Sequence, residues 1–133
     1  MDIARSERST ELAADLRTFV DEAVRPARAM NDAAVAASPD RQPAIAAELQ
    51  QSARDAGLWN LCVRHLEHGP GLTFVEDAPL AEMMGPHPLA QEATNCDPPS
   101  NVNADTMFVY GSREQHERWL LPSSTGRSSR RSR

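Results

Sequence analysis

Thr10-Glu11-Leu12-Ala13-Ala14-Asp15-Leu16-Arg17-Thr18-Phe19-Val20-Asp21-Glu22-Ala23-Val24-Arg25-Pro26 decides the fold class. Leu12, Leu16, Phe19, Val20 and Ala23 recur at offsets 0, 4, 7, 8 and 11, one face of a helix with 3.6 residues per turn. Ser9 or Thr10 is placed to cap this helix, and Glu11 complements its dipole. Pro26 lacks a backbone donor and crowds the preceding turn, so a break or kink is expected there. The alanine-rich residues 27–37 then resume as helix, and Ser38-Pro39-Asp40 reads as a turn.

Working outward, residues 43–56 form a second helix with proline in its first turn and Gly57 beyond its end. Ile45, Leu49, Ala53 and Ala56 share its apolar face. The apolar run 58–63 is too short for periodicity to assign, and His68-Gly69-Pro70-Gly71 is a loop. Thr73 and Glu76 form a capping box that opens a third helix over 73–84. Pro79 predicts a kink or restart within it, and Gly85-Pro86-His87-Pro88 stops it. A loop over 95–101 leads into a fourth helix over 101–110, ended by Gly111. Ser112 and Gln115 repeat the capping-box pattern before Trp119 and Leu120. No useful stretch alternates apolar and polar residues. The reading is therefore all-α, an up-and-down-like helical bundle.

Composition bounds the rest. The 133 residues suit one domain, and the mean hydropathy of -0.55 with no run of 18 apolar residues argues against a membrane span. The charged N-terminus does not resemble a secretory signal, and Cys62 and Cys96 are the only cysteines, so a reducing, cytoplasmic setting is expected. All 14 basic residues are Arg, and four lie in the last eleven positions, where there is no acid. The body is acidic, which disfavours a nucleic-acid partner. Residues 123–133 hold only Ser, Thr, Gly and Arg and are expected to be disordered. The resulting division is a flexible 1–9, a helical domain over 10–122 and the tail.

Few residues carry chemistry by pattern alone. Cys62, His65 and His68 are spaced like zinc ligands, with Cys96 a fourth only if folding brings it near; a buried thiol is the plainer reading. Neither cysteine sits in a nucleophile signature. Gly69-Pro70-Gly71 lacks the following Lys-Ser/Thr of a phosphate-binding loop. Glu76, Asp77 and Glu82 read as solvated helix acids.

Five stretches point further. They are Leu16-Arg17-Thr18-Phe19-Val20-Asp21-Glu22-Ala23-Val24-Arg25-Pro26, Ala53-Arg54-Asp55-Ala56-Gly57-Leu58-Trp59-Asn60-Leu61, Ala78-Pro79-Leu80-Ala81-Glu82-Met83-Met84-Gly85, Ala93-Thr94-Asn95-Cys96, and Tyr110-Gly111-Ser112-Arg113-Glu114-Gln115-His116-Glu117-Arg118-Trp119-Leu120. In order and spacing they resemble the N-terminal helical domain of the acyl-CoA dehydrogenase family, across most of 10–122. The Ala-Thr-Asn-Cys form resembles the branch containing large multidomain members.

The resemblance implies FAD-dependent oxidation of acyl-CoA thioesters to enoyl-CoA, in which the flavin carries the redox chemistry. In that family the flavin-contacting segments and the glutamate base lie in a middle β-domain and a C-terminal bundle. After Leu121-Pro122 the sequence departs from the family pattern, so a truncated chain, inactive alone, is expected. No catalytic, cofactor-binding or metal-binding residue carries over. Asn95, Cys96, Asn101 and Asn103 correspond to a wall of the acyl pocket. Ser100, Asn101 and Val102 stand where the branch usually has Asp, Thr and Gly, and Asp77 where Tyr is usual. Two other readings stay open: a helical interaction module that self-associates through a bare apolar face, and a small zinc-binding protein.

Overall fold

The structure, a computed structural model, describes residues 6–39, 43–98 and 100–120, with only the backbone described at Ser100 and Asn101. The expected disorder of 123–133 lies outside these residues, as do residues 1–5. Among the described residues the fold is all-α, with no strand.

Helix α1 (Glu7–Phe19) passes through a π-helical turn (Val20–Val24) into α2 (Arg25–Ala37) without interruption. α1 begins earlier than expected. Ser6 is its cap, accepting the Ser9 N–H at 3.2 Å, rather than Ser9 or Thr10. Ser9 is fully buried instead, and its hydroxyl donates to the Glu76 carbonyl at 2.9 Å. A residue suited to capping has been taken up by a contact between helices.

The break expected at Pro26 does not occur. The Arg25 N–H reaches back five residues to the Val20 carbonyl, widening the turn just where the proline ring would press on the carbonyl of Glu22. Pro26 then occupies the first turn of α2, where it costs least. The buried stripe runs through Ser9, Ala13, Leu16, Val20, Val24, Ala27 and Asn31, so Val24 rather than Ala23 continues it beyond the π turn.

Helix α3 (Ala44–Asp55) follows Pro43 and closes as a Schellman motif. Gly57 takes φ +71°, its N–H reaches the Arg54 carbonyl at 3.0 Å, and the Leu58 N–H reaches Ala53 at 2.8 Å. Helix α4 (Phe74–Met84) opens with the expected capping box: the Thr73 hydroxyl accepts the Glu76 N–H, and Glu76 accepts the Thr73 N–H at 2.9 Å. Pro79 sits inside α4 without a restart. The carbonyl left without its partner belongs to Val75, on the exposed flank. Helix α5 (Pro88–Ala93), unforeseen in the sequence, follows at once. Helix α6 (Ser100–Tyr110) precedes a short α7 (Arg113–Gln115), capped by Ser112 and Gln115 as expected, and a second π turn (His116–Leu120).

The long α1–α2 helix is the spine. α4 packs on its first half, α3 on its second, and α5 sits between them against the first π turn. Ala46 and Ala53 of α3 and Ala90 and Ala93 of α5 are fully buried, the small residues that let two backbones approach closely. Leu16, Leu58, Leu61 and Leu80 complete the interior, each stabilising by about 1.5–3 kcal/mol before entropy is counted. α6 meets the second π turn, so α6, α7 and that turn form a flank beside this core.

Candidate functional site

The Schellman turn after α3 throws the chain into the segment 58–64, and the end of α5 delivers 94–97 against it. The Asn60 N–H donates to the Thr94 carbonyl at 2.9 Å. Two residues on, the Cys62 N–H donates to Cys96 Sγ at 3.3 Å, and the Cys62 thiol donates to the Asn95 carbonyl at 3.7 Å. Asn60 and Asn95 both hold left-handed backbone, φ +60° and +58°, the only non-glycine residues to do so among those described. Asn95 Nδ2 donates to Asn60 Oδ1 at 2.7 Å, and Asn60 Nδ2 donates to the His68 carbonyl at 2.7 Å. Asn60 is buried, so its side chain replaces hydrogen bonds that water supplies elsewhere. Two strained backbones locked by each other's amides make a rigid clasp, a feature concentrated at functional sites.

Around the clasp, Arg64 pairs with Asp105 of α6 at 2.8 Å and lies over the Phe74 ring at 3.6 Å. This cation joins the loop, α4 and α6. Asp77, in the first turns of α4, has a buried Oδ1 with no partner. Burial pushes its carboxyl above the ordinary range, with Arg64 pulling the other way and Asp105 adding to the rise. The thiols are split. The neighbouring Cys96 sulfur and burial push the Cys62 thiol up, while contact with Cys62, whose N–H it accepts, brings Cys96 down despite its burial.

Of the residues assigned by resemblance to the acyl pocket, the fold brings Asn95 and Cys96 together in this clasp. Asn103 is exposed on α6, and the Asn101 side chain lies outside the described part. Asn60, the partner that holds Asn95, escaped sequence reasoning because it sits in an apolar run. The one available signal was that Asn tolerates left-handed backbone better than its neighbours. The Cys62–His65–His68 spacing does not close into a ligand set. His65 and His68 both stack on Phe108, at 4.5 and 5.0 Å between centroids, and no three His, Cys, Asp or Glu among the described residues could hold a metal ion.

Two of the grooves formed by the described residues stand out. One, of about 220 Å3, is lined by Arg17, Val20, Asp21, Arg25, Met83 and His87. The other, of about 310 Å3, is lined by Thr106, Met107, Tyr110, Gly111, Gln115 and Trp119. The described residues do not fit a flavin dinucleotide. The larger groove only reaches the lower bound for a drug-sized ligand. Gly69 and Gly71 do not cradle a phosphate, because their open sides are filled by Val63 and Leu66 of their own loop. No helix among those described is long and apolar enough to cross a membrane.

Comparison with known proteins accords with this arrangement. Residues 6–127 match the model of the acyl-CoA dehydrogenase N-terminal domain. FadE2 of Mycobacterium tuberculosis, named a probable acyl-CoA dehydrogenase, is 38% identical over 131 residues, covering 96% of this chain and 31% of the relative. Acyl-CoA dehydrogenase family member 10 of Mus musculus is 40% identical over 85 residues, covering 60% of this chain and 8% of the relative. The solved structure of a Mycobacterium abscessus protein described as an acyl-CoA dehydrogenase superposes with a TM-score of 0.83 at 38% identity, covering 93% of this chain and 33% of that one. The chain thus spans about a third or less of the length of these relatives. With the match covering nearly all described residues, the chain belongs to the acyl-CoA dehydrogenase family and carries its N-terminal helical domain.

Proposed function

We propose that residues 10–122 act as the helical lid of a flavin-dependent acyl-CoA dehydrogenase in fatty-acid oxidation, in the cytoplasm, and that the redox chemistry belongs to other segments. The observation that carries this reading is the clasp. It holds Asn95 and Cys96 rigidly in the turn that precedes α6, the segment that the family resemblance assigns to a wall of the acyl pocket. Asn95, Cys96, Asn101 and Asn103 are proposed to line that wall, with acyl-CoA as substrate.

The role of these residues in catalysis is positional. A rigid wall holds the thioester against the reacting centre, and interactions with remote parts of a substrate speed the chemical step by holding it in place. The described residues supply no fitting flavin site, so the 133 residues by themselves are proposed to be inactive. The purified chain is expected to show no flavin absorbance after incubation with FAD and no acyl-CoA-dependent dye reduction. Bound flavin together with turnover would overturn the assignment of the chemistry to other segments.

A second consequence concerns the α6–α7 flank. Val102, Val109, Tyr110 and Trp119 are exposed there, Tyr110 at 84%. In the proposed role this face rests on the flavin-holding body, and left bare it associates with a second copy.

A further inference from the structure

We propose that Cys62 and Cys96 are a redox pair which a hydroperoxide oxidises to an intramolecular disulfide, stapling the loop after α3 to the turn after α5. Both cysteines are free thiols. Contacts at 60 with 94 and at 62 with 96 put the two segments in register: the Asn60 N–H meets the Thr94 carbonyl at 2.9 Å, and the Cys62 N–H meets Cys96 Sγ at 3.3 Å. The Cys62 thiol itself points at the Asn95 carbonyl, 3.7 Å away and one residue before Cys96. With the Cys96 sulfur 3.3 Å from the Cys62 backbone nitrogen, the two cysteines are direct neighbours, the first condition for a disulfide. Nothing in the proposed lid role uses these thiols as a pair.

The environment divides the labour. Cys96 accepts the Cys62 N–H at 3.3 Å, which favours its thiolate, the nucleophilic form. Cys62 is the more exposed of the two, so the pair opens to solvent on that side. The Cys96 thiolate attacks the outer oxygen of the hydroperoxide. The O–O bond breaks, the alkoxide leaves and takes up a proton, and Cys96 becomes a sulfenic acid. The Cys62 sulfur then attacks the Cys96 sulfur, the S–O bond breaks, and the oxygen departs as water with the Cys62 proton. In balance, two thiols and one hydroperoxide give one disulfide, one alcohol and one water; the peroxide gains the two electrons that the sulfurs lose.

The test uses the purified full chain and hydrogen peroxide. Remaining thiols are alkylated and the protein is digested with trypsin, which releases 55–64 and 65–113, since no Arg or Lys interrupts either peptide. The expected product is these two peptides joined, with intact mass lower by two hydrogens, loss of both titratable thiols, and reversal by dithiothreitol. Cys62→Ser is expected to stop at a dimedone-trappable sulfenic acid on Cys96, and Cys96→Ser to give no joined pair. Two alkylated cysteines after peroxide, or bridges found only between two chains, would overturn the proposal. The wild-type result decides the matter even where a variant folds poorly.

Discussion

Asn60 takes backbone that costs a non-glycine residue roughly 1–2 kcal/mol, and it stays there because the hydrogen bonds to Thr94, Val63, His68 and Asn95 depend on it. Replacing it separates the two contributions. Asn60→Ala keeps the strain and orphans Asn95 Nδ2 and the His68 carbonyl, so a loss of about 2–4 kcal/mol is expected by urea denaturation. Asn60→Gly removes the strain and keeps only the loss of the amide, so it is expected to fall between Ala and wild type. An Ala variant as stable as wild type would mean that the Asn60 amide contributes nothing, and a Gly variant no more stable than Ala that the backbone there is not strained. Ser9 teaches the complementary lesson. Its hydroxyl reads as a cap in the sequence, but burial against α4 makes the Glu76 carbonyl its partner.

At the scale of elements, local chemistry is the better guide. The α4 capping box is a short-range device, and the structure contains it as read: Glu76 bonds the Thr73 N–H and hydroxyl at 2.9 and 2.8 Å. Hydrogen bonds from Ser6 and Thr73, with help from Arg8, lower the Glu76 carboxyl from 4.5 to about 2. A depressed carboxylate stabilises the fold above its unfolded value and loses that contribution as pH falls through its folded value. The stability of wild type is therefore expected to drop more steeply than that of Glu76→Gln between pH 4.5 and about 2, since glutamine keeps a hydrogen-bond acceptor but does not titrate. Parallel acid-unfolding curves would show that the box does not depend on charge. Gly57 and the second capping box at Ser112 were legible for the same reason, because each is decided within a few residues. The break at Pro26 was misread because a π turn, which no short-range rule indicated, absorbed the proline. α5 was missed because six residues after a proline are too few for periodicity to register.

For the whole molecule, the spine with α3, α4 and α5 encloses the main apolar core, whereas the α6–α7 flank leaves Val109, Tyr110 and Trp119 in water. Large apolar faces of this kind mark interaction surfaces. Size-exclusion chromatography over a range of concentrations is expected to show self-association, and Tyr110→Ser with Trp119→Ser to shift the elution toward monomer. A monomer at every concentration would show that the face does not bind its own kind.

The amino-acid sequence by itself determined the helical class, the ends of α3 and α4 and the cap of α7, because apolar spacing, capping boxes and Gly57 act through neighbours within one or two turns. It also carried the family motifs. Tertiary structure alone decided that Asn60 and Asn95 lock together, that Cys62 neighbours Cys96, that Ser9 bonds α4, and that Asp77 is half-buried near Arg64. These pairings join residues far apart along the chain, and they exist only once the spine has brought the loops after α3 and α5 into contact.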